Sequence, residues 1–84
     1  MIDIQVRFFA LFRERLGIDS MQFTCATGSR VEDVLNGLYQ QNPAIAEHVQ
    51  VGQLLCAVNH KLVGMEHSLQ SGDELALLPP VTGG

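Results

Sequence analysis

Glu74-Leu75-Ala76-Leu77-Leu78-Pro79-Pro80-Val81-Thr82-Gly83-Gly84 closes the 84-residue chain and joins two unlike halves. Glu74 to Leu78 has the length and apolarity of a buried strand, with Leu75 and Leu77 on one face and Ala76 and Leu78 on the other. Pro79 and Pro80 end that strand, since each lacks an amide donor and holds the backbone on a stiff, extended path. Gly83 and Gly84 carry no Cβ, so a narrow cleft can close around their backbone. The stretch therefore reads as the last strand of a body spanning residues 1–78, followed by a slim tail, residues 79–84. The tail is expected to hold a carboxylate away from the body, where another enzyme can reach it.

A strand this apolar needs neighbours on both sides, and the other end of the chain offers one. Ile2, Ile4, Val6 and Phe8 alternate with Asp3, Gln5, Arg7 and Phe9, the pattern of a half-buried strand with its even residues inward. The first and last strands are thus the candidates for the sheet centre. Ala10 to Leu16 reads as a short helical turn closed by Gly17 as a left-handed cap. Met21, Phe23 and Cys25 alternate again, giving a strand antiparallel to the first. Between the two ends lies the main helix. Val31, Val34, Leu35, Leu38 and Tyr39 share one helical face. Ser29 and Glu32 have the spacing of a capping box at its start, and Pro43 disfavours helix at the residue before it.

Ala44 to Val49 is expected to add a turn over the sheet edge. Leu54 to Asn59 is a short strand, Asn59-His60-Lys61 a turn, and Leu62-Val63 a further short strand. Leu69 is the expected buried anchor of the 64–70 connection. The order β-β-α-β-(β)-β predicts an α+β fold, a mixed sheet wrapped across one helix, called a β-grasp.

Composition narrows the function. With 46% apolar residues the chain can form a core, and its length allows one domain. The net charge is −4, and Arg7, Arg13, Arg15, Arg30 and Lys61 are scattered, which argues against a nucleic-acid partner and for a basic protein partner. Cys25 and Cys56 form no CxxC and read as free core thiols of a reducing cytoplasm. The N-terminus passes directly into a strand pattern, so no signal peptide is expected. No apolar run approaches the ~20 residues needed to span a membrane.

Within the body, no constellation points to catalysis. His48, His60 and His67 match no common zinc spacing, so no metal site is expected. Neither cysteine has a motif beside it, and Asp73-Glu74 follows a glycine and reads as a solvated turn. The lone Gly72 is not a phosphate loop. Chemistry is therefore expected at the tail. A carboxylate joined to AMP becomes a reactive acyl-adenylate. Sulfur can displace the AMP and leave a thiocarboxylate, a softer and better nucleophile.

Val6-Arg7-Phe8-Phe9-Ala10, the Val31–Leu38 helix, Ala57-Val58-Asn59, Gly72-Asp73-Glu74 and the Pro-Pro-Val-Thr-Gly-Gly ending together resemble the sulfur-carrier subunits of molybdopterin synthase, within the ubiquitin-like β-grasp proteins. The likeness covers essentially the whole chain, and the Pro-Pro-Val-Thr-Gly-Gly ending is its specific part. It departs at Leu77 and Leu78, where the family often has aromatics. The resemblance implies that an ATP-dependent adenylyltransferase activates Gly84 and that a sulfur-donor relay then thiocarboxylates it. It also implies that Pro79, Pro80, Val81, Thr82 and Gly83 enter the active site of the large synthase subunit. There Gly84 would give sulfur to a cyclic pyranopterin monophosphate, in a heterotetramer. This chain would bind no cofactor; ATP belongs to the activating enzyme. The alternatives are a thiamin-pathway sulfur carrier, a modifier that joins Gly84 to a lysine, and an interaction module with an inert tail. Independently, alternation places Phe9 and Leu78 on the face opposite the core, with Leu62 extending it. These three residues are the expected contact surface for both the large subunit and the activating enzyme.

Overall fold

The computed structural model describes residues 1–49 and 54–80. Its elements are β1 (Ile2–Phe8), α1 (Ala10–Leu16), β2 (Ser20–Cys25), α2 (Val31–Gln41), α3 (Pro43–His48), β3 (Leu55–Val58), β4 (Lys61–Val63) and β5 (Glu74–Leu78). The strands form one sheet in the order β2-β1-β5-β3-β4. β5 fills the middle, parallel to β1 and antiparallel to β3. The first and last strands do stand at the centre, for the reason their apolarity implies: neighbouring strands and the helix layer exclude water from their inward faces.

One face of the sheet and the helices enclose the core. Ile4, Val6 and Phe8 of β1 and Leu75 and Leu77 of β5 meet Val31, Val34, Leu35 and Leu38 of α2, each at most 2% exposed. Gly37 lets α2 approach β2 closely, because a Cβ there would stand 2.8 Å from Phe23 Cζ. After α1, Gly17 adopts φ 74° and its amide donates to the Arg13 carbonyl, as a left-handed cap does. Pro43 opens α3 at its first turn, a position that needs no amide donor. α3 packs on α1 and α2 through the buried Ile45. Leu69 is the buried anchor of its connection.

The start of α2 differs from the sequence reading. The helix begins at Val31, and the reaching carboxylate is Asp33, which accepts from the Arg30 amide at 2.9 Å. Ser29 and Glu32 do not form the box. Ser29 is instead held as backbone, accepting from the Leu69 amide at 2.8 Å. The 64–70 connection lies across the helix start, where the His67 and Met65 carbonyls accept from the amides of Val31 and Glu32. Those carbonyls occupy the donors that a Ser29 cap would have served.

Candidate functional site

Alternation sends every second side chain of the sheet away from the helices. The strand register gathers them into rows. Arg7 lies beside Ala76, Ala76 opposite Ala57, and Ala57 opposite Leu62. One row further on, Leu78 pairs with Leu55. β1 ends at Phe8, but Phe9 keeps an extended backbone (φ −118°, ψ 154°), and its amide still donates to the Leu77 carbonyl at 3.2 Å. Phe9 therefore points outward beside Leu78.

The result is a shallow depression of about 310 Å³ lined by Phe9, Ala57, His60, Leu62, Glu74, Ala76 and Leu78. The structure thus brings together the three apolar residues named from the sequence. Leu62 is 69% exposed, while Phe9 and Leu78 are half-buried. Ala57 and Ala76 make the floor, and their small size creates the hollow between larger neighbours. Sequence reasoning missed both. The Glu74-Ala76-Leu78 alternation held the signal for Ala76, whereas Ala57 needed the register.

A charged rim was also missed. Glu74 opens β5, as the strand reading has it, but its carboxylate is not the solvated group expected of the turn: it is half-buried and takes the Arg7 guanidinium at 3.2 Å. The His60 imidazole lies 3.5 Å from the other carboxylate oxygen. The Arg7 guanidinium also sits 5.3 Å from the centre of the Phe9 ring, within cation–π range. Pairing consumes the rim's charges, so the apolar floor is bordered by groups that can be desolvated at lower cost than free ions.

Asp73 does lie in a turn. Its carboxylate accepts from Asn59 Nδ2 and from the Gln70 amide. A larger hollow of about 380 Å³ opens on the other side of the Asn59–Lys61 turn, over Val58 and Val63. Its acidic group, Asp73, is already engaged in this way.

Neither cysteine is placed for chemistry. Both are buried and free. Burial pushes the Cys56 thiol up to about 11, so it stays protonated and weakly nucleophilic at neutral pH. Burial, and then the neighbouring Cys56, also push the Tyr39 hydroxyl up, and that hydroxyl donates to the Val49 carbonyl. Among the described residues, no three His, Cys, Asp or Glu side chains cluster as metal ligands would. No helix among them is long and apolar enough to cross a membrane.

Pro79 and Pro80 follow β5 directly, the first half-buried and the second exposed. The chain therefore leaves the sheet from the Leu78 edge of the depression. Val81, Thr82, Gly83 and Gly84, named from the sequence as tail and reactive terminus, lie outside the described residues.

Comparison with known proteins adds identity to this geometry. A family model described as the ThiS family matches residues 6–84. The molybdopterin synthase sulfur carrier subunit of Escherichia coli (strain K12) is 42% identical over 81 residues, covering 96% of this chain and 99% of that protein. The solution structure of small archaeal modifier protein 1 from Methanosarcina acetivorans matches with a TM-score of 0.79 at 28% identity, over 100% of this chain and 98% of that one. A chain in the protein–protein complex of subunits 1 and 2 of molybdopterin-converting factor from Helicobacter pylori matches at TM-score 0.69 and 27% identity, over 99% and 100%. The architecture is the ubiquitin-like β-grasp that the order of elements implied. Matched along nearly all of its length by the family model and by a relative at 42% identity, the chain belongs to the ThiS family, alongside the molybdopterin synthase sulfur carrier subunits.

Proposed function

We propose that this protein is the sulfur carrier of a molybdopterin synthase. The observation that carries the reading is the match to the Escherichia coli sulfur carrier subunit across 96% of the chain. The geometry supports it in a second way. An apolar depression with a paired ionic rim lies where β5 runs into Pro79, so a partner seated there receives the tail at its own surface.

In this reading Gly84 is the working residue. An ATP-dependent adenylyltransferase joins its carboxylate to AMP, and a sulfur relay displaces the AMP to give a thiocarboxylate. The body then docks on the large synthase subunit through Phe9, Leu62 and Leu78. Pro79 and Pro80 aim the tail, and Val81, Thr82 and Gly83 thread it into that subunit's active site. The sulfur passes there to a cyclic pyranopterin monophosphate. A chain with this fold occurs in the Helicobacter pylori complex of subunits 1 and 2 of molybdopterin-converting factor, which favours a synthase-subunit partner here. The assembly is a heterotetramer in the cytoplasm, with a carrier at each end of a large-subunit dimer. This chain supplies the transferred atom and its positioning; acid–base groups and ATP belong to the partners.

The test is reconstitution. Carrier exposed to the activating enzyme, ATP and a sulfur donor should gain the mass of one oxygen-to-sulfur exchange. With the large subunit and the pyranopterin it should then yield the dithiolene product. A carrier that becomes thiocarboxylated yet transfers nothing to the pyranopterin would refute the molybdopterin assignment. A second reading, as a protein modifier, is favoured by the similarity to small archaeal modifier protein 1. It requires that Gly84 be found in isopeptide linkage to lysines of other proteins.

A further inference from the structure

Two sites separated in sequence, Asn59 and Asp73-Glu74, form one hydrogen-bonded unit. Asn59 and His60 make the two-residue turn between β3 and β4, with φ of 51° and 72°. The antiparallel ladder of β3 with β5 runs out at this turn. The Asn59 amide still donates to the Glu74 carbonyl at 3.0 Å, but the turned backbone no longer offers a carbonyl to the Glu74 amide. The Asn59 side chain replaces it, with Oδ1 accepting from the Glu74 amide at 3.0 Å. Its Nδ2 donates to Asp73 Oδ1 at 2.9 Å, and Asp73 Oδ2 is fixed by the Gln70 amide at 2.8 Å.

β4 has only Lys61–Val63 and pairs with β3 alone. A hairpin this short is marginal without outside support. Among the described residues, the side-chain bonds and ion pairs that leave its turn all end on Asp73 or Glu74. The strand they tie down carries Leu62, whose side chain borders the depression while being 69% exposed and little restrained by packing.

We infer that Asn59 is a positioning residue. Its amide locks the β3–β4 hairpin to the start of β5, and so holds Leu62 at a fixed place opposite Phe9 and Leu78 before any partner arrives. The role rests on the docking reading above. Pre-ordering matters there because a contact that must first be immobilised contributes less to affinity. Without the clamp the hairpin opens and closes, and Leu62 contributes only in the fraction of molecules where it is closed.

The test is a double-mutant cycle on binding to the large synthase subunit, with Leu62→Ala and Asn59→Gly. Glycine keeps the positive φ of the turn and removes only the side-chain amide. In the wild-type background Leu62→Ala should weaken binding about tenfold or more, as truncation of an interface anchor does. In the Asn59→Gly background it should cost less than about threefold, because the two sites are coupled. Phe9→Ala should cost the same in both backgrounds. Asp73→Ala cuts the clamp from the other side and should shrink the Leu62 effect likewise, which guards against a defect peculiar to the turn. Additive effects of Leu62 and Asn59 would overturn the positioning role and leave docking intact. A neutral Leu62→Ala in the wild-type background would overturn the docking role of Leu62 and this inference with it.

Discussion

On the helix side of the sheet, Leu75 and Leu77 of β5 are fully enclosed. On the other side, Leu78 of the same strand is half-buried, and Leu62 of β4 stands 69% exposed. The second side carries apolar side chains too, Ala57, Leu62, Ala76 and Leu78 among them, gathered over β3, β4 and β5. The two sides differ in cover, for α2 supplies an apolar stripe to the first, while among the described residues no helix residue lines the depression on the second. Alternation in a strand normally separates an apolar face from a wet one. Here it separates a face buried within the chain from a face suited to burial against another chain. Substitutions on the first should therefore cost stability, and those on the second should cost binding.

The largest effect should come from breaking the enclosed face. Leu77→Ala should destabilise the fold by about 2–5 kcal/mol, as truncations in well-packed cores do, read as a lowered denaturant midpoint. The mirror experiment is Leu78→Glu. It should weaken binding to the large subunit and to the activating enzyme by at least about a hundredfold, or about 2.7 kcal/mol, while the melting temperature stays near wild type. If Leu78→Glu unfolded the protein but Leu77→Ala did not, the two faces would have been assigned the wrong way round.

Smaller changes sharpen the contrast. Gly37→Ala on the enclosed side should cost about 1–2 kcal/mol despite the better helix propensity of alanine, because the new methyl meets the Phe23 ring. His60→Gly at the rim of the open face should instead stabilise the fold by roughly 0.5 kcal/mol, since glycine relieves the left-handed backbone there. Both are measured by urea titration. One further effect appears only in alkali. The Cys56 thiol is raised from 9.0 to about 11 in the folded state, so its share of stability is complete below pH 9 and is lost as pH rises through 11. Cys56→Val should flatten the fall in melting temperature across that window, leaving the part due to Tyr39, whose hydroxyl is also raised.

Much of this contrast was legible in the chain itself, because period-two alternation fixes which face a strand residue takes. It placed Leu75 and Leu77 inward and Phe9 and Leu78 outward, and the apolarity of β1 and β5 put them at the sheet centre. Partnership across strands was less legible. Arg7 meets Glu74 across a gap of 67 residues, and only the parallel register of β1 with β5 brings them into contact. Ala57 lies opposite Leu62 for the same kind of reason. The cap of α2 failed for a tertiary cause as well. Ser29 and Glu32 had the right spacing, but carbonyls from the 64–70 connection took the helix's free amides and shifted its start to Val31.

The middle place of β5 also decides when the protein can fold. Its neighbours, β1 and β3, are synthesised well before it, and each must leave one edge unpaired until residues 74–78 have emerged from the ribosome. The sheet therefore closes late, through contacts between the two ends of the chain, and such non-local topologies fold comparatively slowly. A molecule interrupted before β5 has neither a finished core nor the stalk at Pro79. On the proposed function, completion of the fold and delivery of Gly84 to a partner would be one event, so a partner that receives the terminus would receive it from a finished carrier.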